Sequence, residues 1–192
     1  MNSIFQCPKC KTKLNHSRCP SCSHVFFNND GYYDFSVNSS LSMITSETKL
    51  SNLLLQIRSH GYSKGLSQFR KNYPKLEHRF DVREGNIAFR AIRQKNTRCL
   101  VVNSDLGNIP ESLSQIFDEI YSLDADKEKI LIQKFRFQEK NLNNIILIKS
   151  DVISLPFPDN YFDLVVSYGI KIHKKNINLN KITVLKYFKE IK

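Results

Sequence analysis

Cys7-Pro8-Lys9-Cys10 and Cys19-Pro20-Ser21-Cys22 are two CPxC turns with eight residues between them. They use four of the five cysteines in a chain of 192 residues. A CxxC turn aims two thiolates at one point, and two such turns supply the four sulfurs that tetrahedral Zn²⁺ accepts. Proline in the second position of each turn fixes φ and stiffens it. The expected ligands are Cys7, Cys10, Cys19 and Cys22. An iron centre could use the same four thiolates. Disulfides or a redox pair use the same residue type, but no signal peptide precedes the cysteines, so a reducing, cytoplasmic setting is expected. His16 and His24 lie close in sequence; four thiolates complete the shell without them.

A second set of chemical groups lies far downstream. Asp124 and Asp151 each follow a short apolar run, and the loop Asn103–Asn108 follows another. In a doubly wound sheet a ligand sits at the carboxyl ends of the strands, where the strand order reverses. Asp124 comes 17 residues after Gly107 and can accept two ribose hydroxyls there. Asp151 can reach the exocyclic amine of adenine. Each acid also suits a helix N-cap, which βα loops favour in any case. The concurrence of three positions at strand ends is what points to a nucleoside site.

These groups need elements to hold them. His24–Phe27 and Tyr32–Phe35 read as strands around an Asn28–Gly31 turn, closing a small ribbon. Leu50, Leu53, Leu54 and Ile57 recur at helical spacing. Further helices are expected over 64–71 and 86–95. From Arg98 onward, strands alternate with helices. Strands are expected at 99–102, 119–124, 145–148 and 161–168, with helices at 110–117, 126–138 and 179–191. That order predicts a parallel sheet with helices on both faces. The expected division is a zinc ribbon over 1–36, a helical cap over 37–97 and a Rossmann-like α/β domain over 98–192.

The run Asp151-Val152-Ile153-Ser154-Leu155-Pro156-Phe157-Pro158-Asp159-Asn160-Tyr161-Phe162-Asp163-Leu164-Val165-Val166 resembles the "D-x-x-x-LPFPD-x-x-FD-hh" stretch of class I S-adenosylmethionine-dependent methyltransferases of the type-11-like subgroup. Tyr121–Asp126 resembles their second motif. The cysteine ribbon with Asp30–Phe35 is similar to a small zinc-binding domain fused to such enzymes. Leu53–Arg93 looks like the helical lead-in of bacterial methyltransferases found among surface-glycan genes. The resemblance implies S-adenosylmethionine as cofactor, with Asp124 on the ribose, Asp151 on the adenine, and Asn103, Asp105 and Gly107 beside the methionine part. It also implies a methyl acceptor, whether glycan, lipid or small metabolite.

Two departures stand out. Where the family pattern has an acid and then G-x-G-x-G, this chain has Val101, Asn103, Asp105 and Gly107. The Asp105 carboxylate is expected to face the carboxylate of the ligand, at about 1 to 4 kcal/mol for like charges some 4 Å apart. In addition, four strands are readable where the family sheet has seven. The chain therefore reads as truncated at its carboxyl end. Strand 161–166 becomes an apolar edge that the tail helix or a second chain must cover.

Net charge is +11, with +8 in residues 58–98, +6 in 171–192 and −5 in 99–170. Basic flanks suit nucleic acid, polyanionic glycan or a membrane surface as partner. No nucleic-acid-binding motif accompanies them. No apolar run is long enough to span a bilayer. Three functions follow: a methyltransferase, a non-catalytic methyltransferase-like module that partners an intact enzyme, or a zinc-ribbon nucleic-acid binder. His173 follows the fourth strand and is read as a solvated residue of the basic tail.

Overall fold

The computed structural model describes residues 4–29, 31–37, 48–75, 97–152, 154–168 and 183–187. The chain runs β1 (Phe27–Asn29), β2 (Tyr32–Asp34), α1 (Thr48–His60), α2 (Tyr62–Asn72), β3 (Arg98–Val102), α3 (Asn108–Leu113), β4 (Glu119–Asp124), α4 (Lys127–Glu139), β5 (Ile145–Lys149), β6 (Leu164–Tyr168) and β7 (Thr183–Tyr187). The expected helix over 86–95 lies outside the described residues.

The described strands form one sheet in the order β1-β2-β5-β4-β3-β6-β7. β3 to β7 are mutually parallel. The chain winds outward from β3 through β4 to β5, then returns to the other side of β3 for β6. The order thus reverses between β3 and β6, the Rossmann-like switch point.

Side chains alternate between the two faces of the sheet, as strand geometry requires. Cys99, Val101 and Ile120 face α3 and pack with Ile109 and Leu113. Leu100, Val102, Tyr121, Leu123 and Ile148 face the other way. There they meet Phe5, Leu14, Phe26 and Phe35 of the cysteine ribbon, together with Phe157 and Phe162. Among the described residues, this second face is covered by the ribbon and the 155–162 segment rather than by a helix. The cap helices α1 and α2 bury Leu50, Leu53, Ile57, Leu66 and Phe69 against Ile130, Leu131 and Phe137 of α4. Burial of each such side chain contributes roughly 1.5–3 kcal/mol. Gly65 permits the close approach of α2 to α1: a Cβ there would lie 2.7 Å from the Ile57 nitrogen.

The carboxyl end departs from expectation. A helix over 179–191 is expected from the stripe Leu179, Ile182, Leu185, Phe188 and Ile191, but Thr183–Tyr187 is a strand paired parallel to β6. A segment this short fits either period. Here the β-branched pair Thr183-Val184 and the open hydrogen-bonding edge of β6 decide for the strand. β6 is therefore an interior strand, and no tail helix or second chain is needed to cover it. At the opposite end, β2 pairs in parallel with β5, and β1 closes the sheet as an antiparallel partner of β2. Among the described residues, no helix is long and apolar enough to cross a membrane.

Candidate functional site

The loop between β3 and α3 sits at the carboxyl edge of the sheet. Asn103, Asp105 and Gly107 all have left-handed backbones, with φ of 56°, 49° and 85°. Alternate residues thus adopt the conformation that glycine takes most readily, and Asn and Asp are the non-glycine residues that best tolerate it. The loop takes three left-handed positions with glycine at only one of them. Gly107 has a further constraint: a Cβ there would lie 2.7 Å from Phe137 Cζ and 3.0 Å from Gln133 Cγ.

Polar side chains from neighbouring elements hold the loop. Ser104 N–H donates to the Leu123 carbonyl at 3.0 Å. Buried Gln133 donates through Nε2 to Ser104 Oγ (2.9 Å) and to the Asp105 carbonyl (2.7 Å). Its Oε1 accepts from Ser122 Oγ at 2.6 Å. Buried Arg136 donates to the Leu106 carbonyl at 2.8 Å, to Asn108 Oδ1 and to Glu111. Lys129, Gln133 and Arg136 thus form a polar stripe on α4, spaced i, i+4, i+7. The sequence reading missed all three. The signal was there: a glutamine set directly after Ile130-Leu131-Ile132.

Asp124 ends β4 and is 3% exposed. Its Oδ2 accepts from Asp105 N–H and its Oδ1 from Asp126 N–H, both at 3.0 Å. Burial pushes its pKa above the ordinary carboxylate value; Lys129 and the two N–H donors offset part of that rise. Asp151 follows β5, is half-buried, and accepts from Ser154 N–H at 3.2 Å. Ser150 N–H donates to the Asp124 carbonyl at 3.1 Å and ties the two strand tips together. Asn103, Asp105, Gly107, Asp124 and Asp151 therefore lie along one edge, at the tips of three adjacent parallel strands.

The Asp105 carboxylate has a cationic partner in the fold. Its Oδ1 lies 3.2 Å from Lys129 Nζ, both side chains being mostly buried. Burial alone would lower the lysine pKa, but Asp124, Asp105 and Asp126 together raise it, so the ammonium is retained. His173 lies outside the described residues.

The cysteine centre is built from two matching turns. Lys11 N–H donates to the Cys7 carbonyl and Ser23 N–H to the Cys19 carbonyl, at 2.8 and 3.0 Å. The residue after each CPxC is left-handed, Lys11 at 61° and Ser23 at 56°. The four sulfurs lie within 4.8 Å of one another, with Cys7–Cys22 at 3.5 Å and Cys10–Cys19 at 3.4 Å. A tetrahedral ion with sulfurs at about 2.3 Å places them some 3.8 Å apart, so the cage fits. Burial pushes the Cys7 thiol up, and a bound cation would favour its thiolate form. The ribbon is stitched to the segment after Asp151: Gln6 N–H donates to the Pro156 carbonyl at 2.9 Å, and Lys11 Nζ to the Leu155 carbonyl at 3.1 Å.

A family model described as "Methyltransferase domain" matches residues 104–180. A demethylmenaquinone methyltransferase of a Geobacillus strain is 35% identical over 54 residues, 28% of this chain and 23% of that protein. One from Anoxybacillus flavithermus is 28% identical over 82 residues, 41% of this chain and 35% of that protein. The aligned stretches thus span about a third or less of these curated relatives. Among solved structures, a SAM-dependent methyltransferase from Aquifex aeolicus matches at 21% identity with a TM-score of 0.40, over 50% of this chain and 51% of that one.

Proposed function

We propose that this chain binds S-adenosylmethionine along the β3–β4–β5 edge and transfers its methyl group to a small-metabolite acceptor; the match of residues 104–180 to a methyltransferase-domain family model supports this reading. The observation that carries the proposal is the left-handed trio Asn103, Asp105 and Gly107 tied to the buried Asp124 at the neighbouring strand tip. A nucleoside ligand fits these residues. Asp124 keeps lone pairs beyond its two N–H bonds for ribose hydroxyls. Asp151, one strand further along, is suited to the adenine amine. The loop backbone faces the methionine end.

Bound S-adenosylmethionine would supply a methyl group on a sulfonium, whose leaving group, a neutral thioether, needs no acid from the protein. The work left to the chain is positioning and exclusion of water. The names of the curated relatives support a small metabolite as acceptor. The four cysteines hold Zn²⁺ as a structural ion, since four thiolates leave no open position for a substrate. Such a cage suits a reducing compartment, the cytoplasm.

Calorimetric titration with S-adenosylhomocysteine tests the site. Saturable binding in wild type, lost by at least about tenfold in Asp124→Asn, is expected. No heat at millimolar ligand would remove the reading. A second reading, binding without turnover, draws on Val101. It is fully buried in the apolar layer against α3, so no acid stands there to meet the ammonium of the ligand. Methyl transfer by the purified chain to an acceptor would dismiss it.

A further inference from the structure

Asp105 stands in a left-handed position, where glycine would be at ease, yet each of its polar groups is engaged. Its N–H goes to Asp124, its carbonyl to Gln133 and its carboxylate to Lys129. Lys129 is the third residue of α4, one turn past the N-cap Asp126, and stands between the loop and the tip of β4. We propose that Lys129 is a positioning residue that sets the charge of the cleft: its ammonium neutralises Asp105, and so lets the loop receive the anionic amino-acid end of the ligand. This inference rests on the proposed S-adenosylmethionine reading and adds to it a residue that no resemblance assigns.

The charge balance explains why a cation is required. Asp105, Asp124 and Asp126 place three carboxylates around Lys129. Lys129 interacts with all of them. With Lys129 gone, the Asp105 carboxylate would turn on an incoming carboxylate in a poorly solvated setting, where like charges repel several times more strongly than in water. Asp105 and Lys129 are thus one device split across 24 residues of sequence. Either both are present or neither is needed.

A double-mutant cycle tests this, using Lys129→Met, Asp105→Gly and the pair, with two probes. S-adenosylhomocysteine carries the amino-acid end; 5′-methylthioadenosine lacks it. Lys129→Met is expected to weaken S-adenosylhomocysteine by roughly tenfold or more and methylthioadenosine by less than about twofold. Adding Asp105→Gly should restore S-adenosylhomocysteine to within about twofold of wild type. Lys129→Arg should retain binding. Equal weakening of both probes, or no rescue by Asp105→Gly, overturns the inference. Should Lys129→Met fail to fold, Asp105→Gly alone decides: affinity for S-adenosylhomocysteine unchanged or tighter supports the pairing, and weaker affinity sinks it. Absence of binding by wild type to either probe would instead defeat the underlying ligand reading, and the inference with it.

Discussion

At the scale of single residues, the loop after β3 separates what glycine does from what a sequence pattern records. The pattern records identity; the fold needs φ. Asn103 and Asp105 supply positive φ without being glycine, so the missing glycines did not erase the loop. Gly107 is different, because space as well as φ is limiting there. Gly107→Ala should lower stability by about 1–3 kcal/mol, since a Cβ meets Phe137 and Gln133 and the φ is strained for alanine. Urea denaturation reads this directly, and an unchanged midpoint would show that the α3–α4 contact is slack. The residues at the strand ends were legible because a short apolar run followed by an acid has a plain structural meaning. Lys129 was not legible. Nothing local marks a lysine on a helix as the partner of an aspartate 24 positions earlier.

At the scale of elements, α4 does more than cover the sheet. Gln133 is fully buried, and its amide joins Ser122 on β4 to Ser104 and Asp105 in the loop. Gln133→Leu keeps the volume and removes every one of those bonds. Two hydroxyls and one carbonyl would lose a partner, so a loss of about 1–3 kcal/mol is expected. The amides of 104–107 should exchange faster while those of β3 stay protected. A drop in stability with unaltered loop exchange would show the glutamine to be filler rather than a strut. The same scale explains where sequence reading stopped. β3 and β5 were readable as short unbroken apolar runs, β4 as a strand ending in an acid, and α4 by its helical spacing. β7 was not, because a five-residue stretch within a helix-spaced stripe serves either period and the deciding factor, the open edge of β6, is 15 residues upstream.

At the scale of the whole molecule, the ribbon is part of the sheet. β2 adds to β5, Phe35 N–H donates to the Lys149 carbonyl at 2.8 Å, and Lys149 Nζ bonds Asp34 Oδ2 at 3.0 Å and Ser36 Oγ at 2.9 Å. No local feature of the first 36 residues announces this pairing, which depends on an edge more than 100 residues away. The Asp34 carboxyl would be raised by burial, but Ser36 and Lys149 outweigh that and hold it below its ordinary value. Its proton is thus bound more weakly folded than unfolded. The seam gains its full stabilisation above the ordinary carboxylate pKa and loses it as pH falls through the depressed one. Asp34→Asn should remove about 1 kcal/mol of stability at neutral pH and flatten the acid limb of the stability profile below about pH 4. An acid limb identical to wild type would mean that the seam charge is idle.

Removal of the proposed ion probes the same junction from the other side. The cage holds Cys7, and through its neighbours Gln6 and Lys11 the carbonyls of Pro156 and Leu155. Phe5 packs on Phe35 and Phe157 with ring centroids 4.8 and 5.8 Å apart. Without an ion, four sulfurs crowded within 4.8 Å have nothing to hold them, and a metal-nucleated ribbon loses its main source of folding energy. Chelation should therefore free the Gln6 and Cys7 amides to exchange, then those of 155–162, while β3, β4 and α4 keep their protection. Re-addition of Zn²⁺ should restore the original pattern with one ion per chain. The ribbon has a second anchor in the β2–β5 pairing, so Phe35 N–H should respond less than Gln6 N–H. If Gln6 stays protected after complete chelation, packing against the sheet alone holds the ribbon, and the ion is not what fixes its contact with the segment after Asp151.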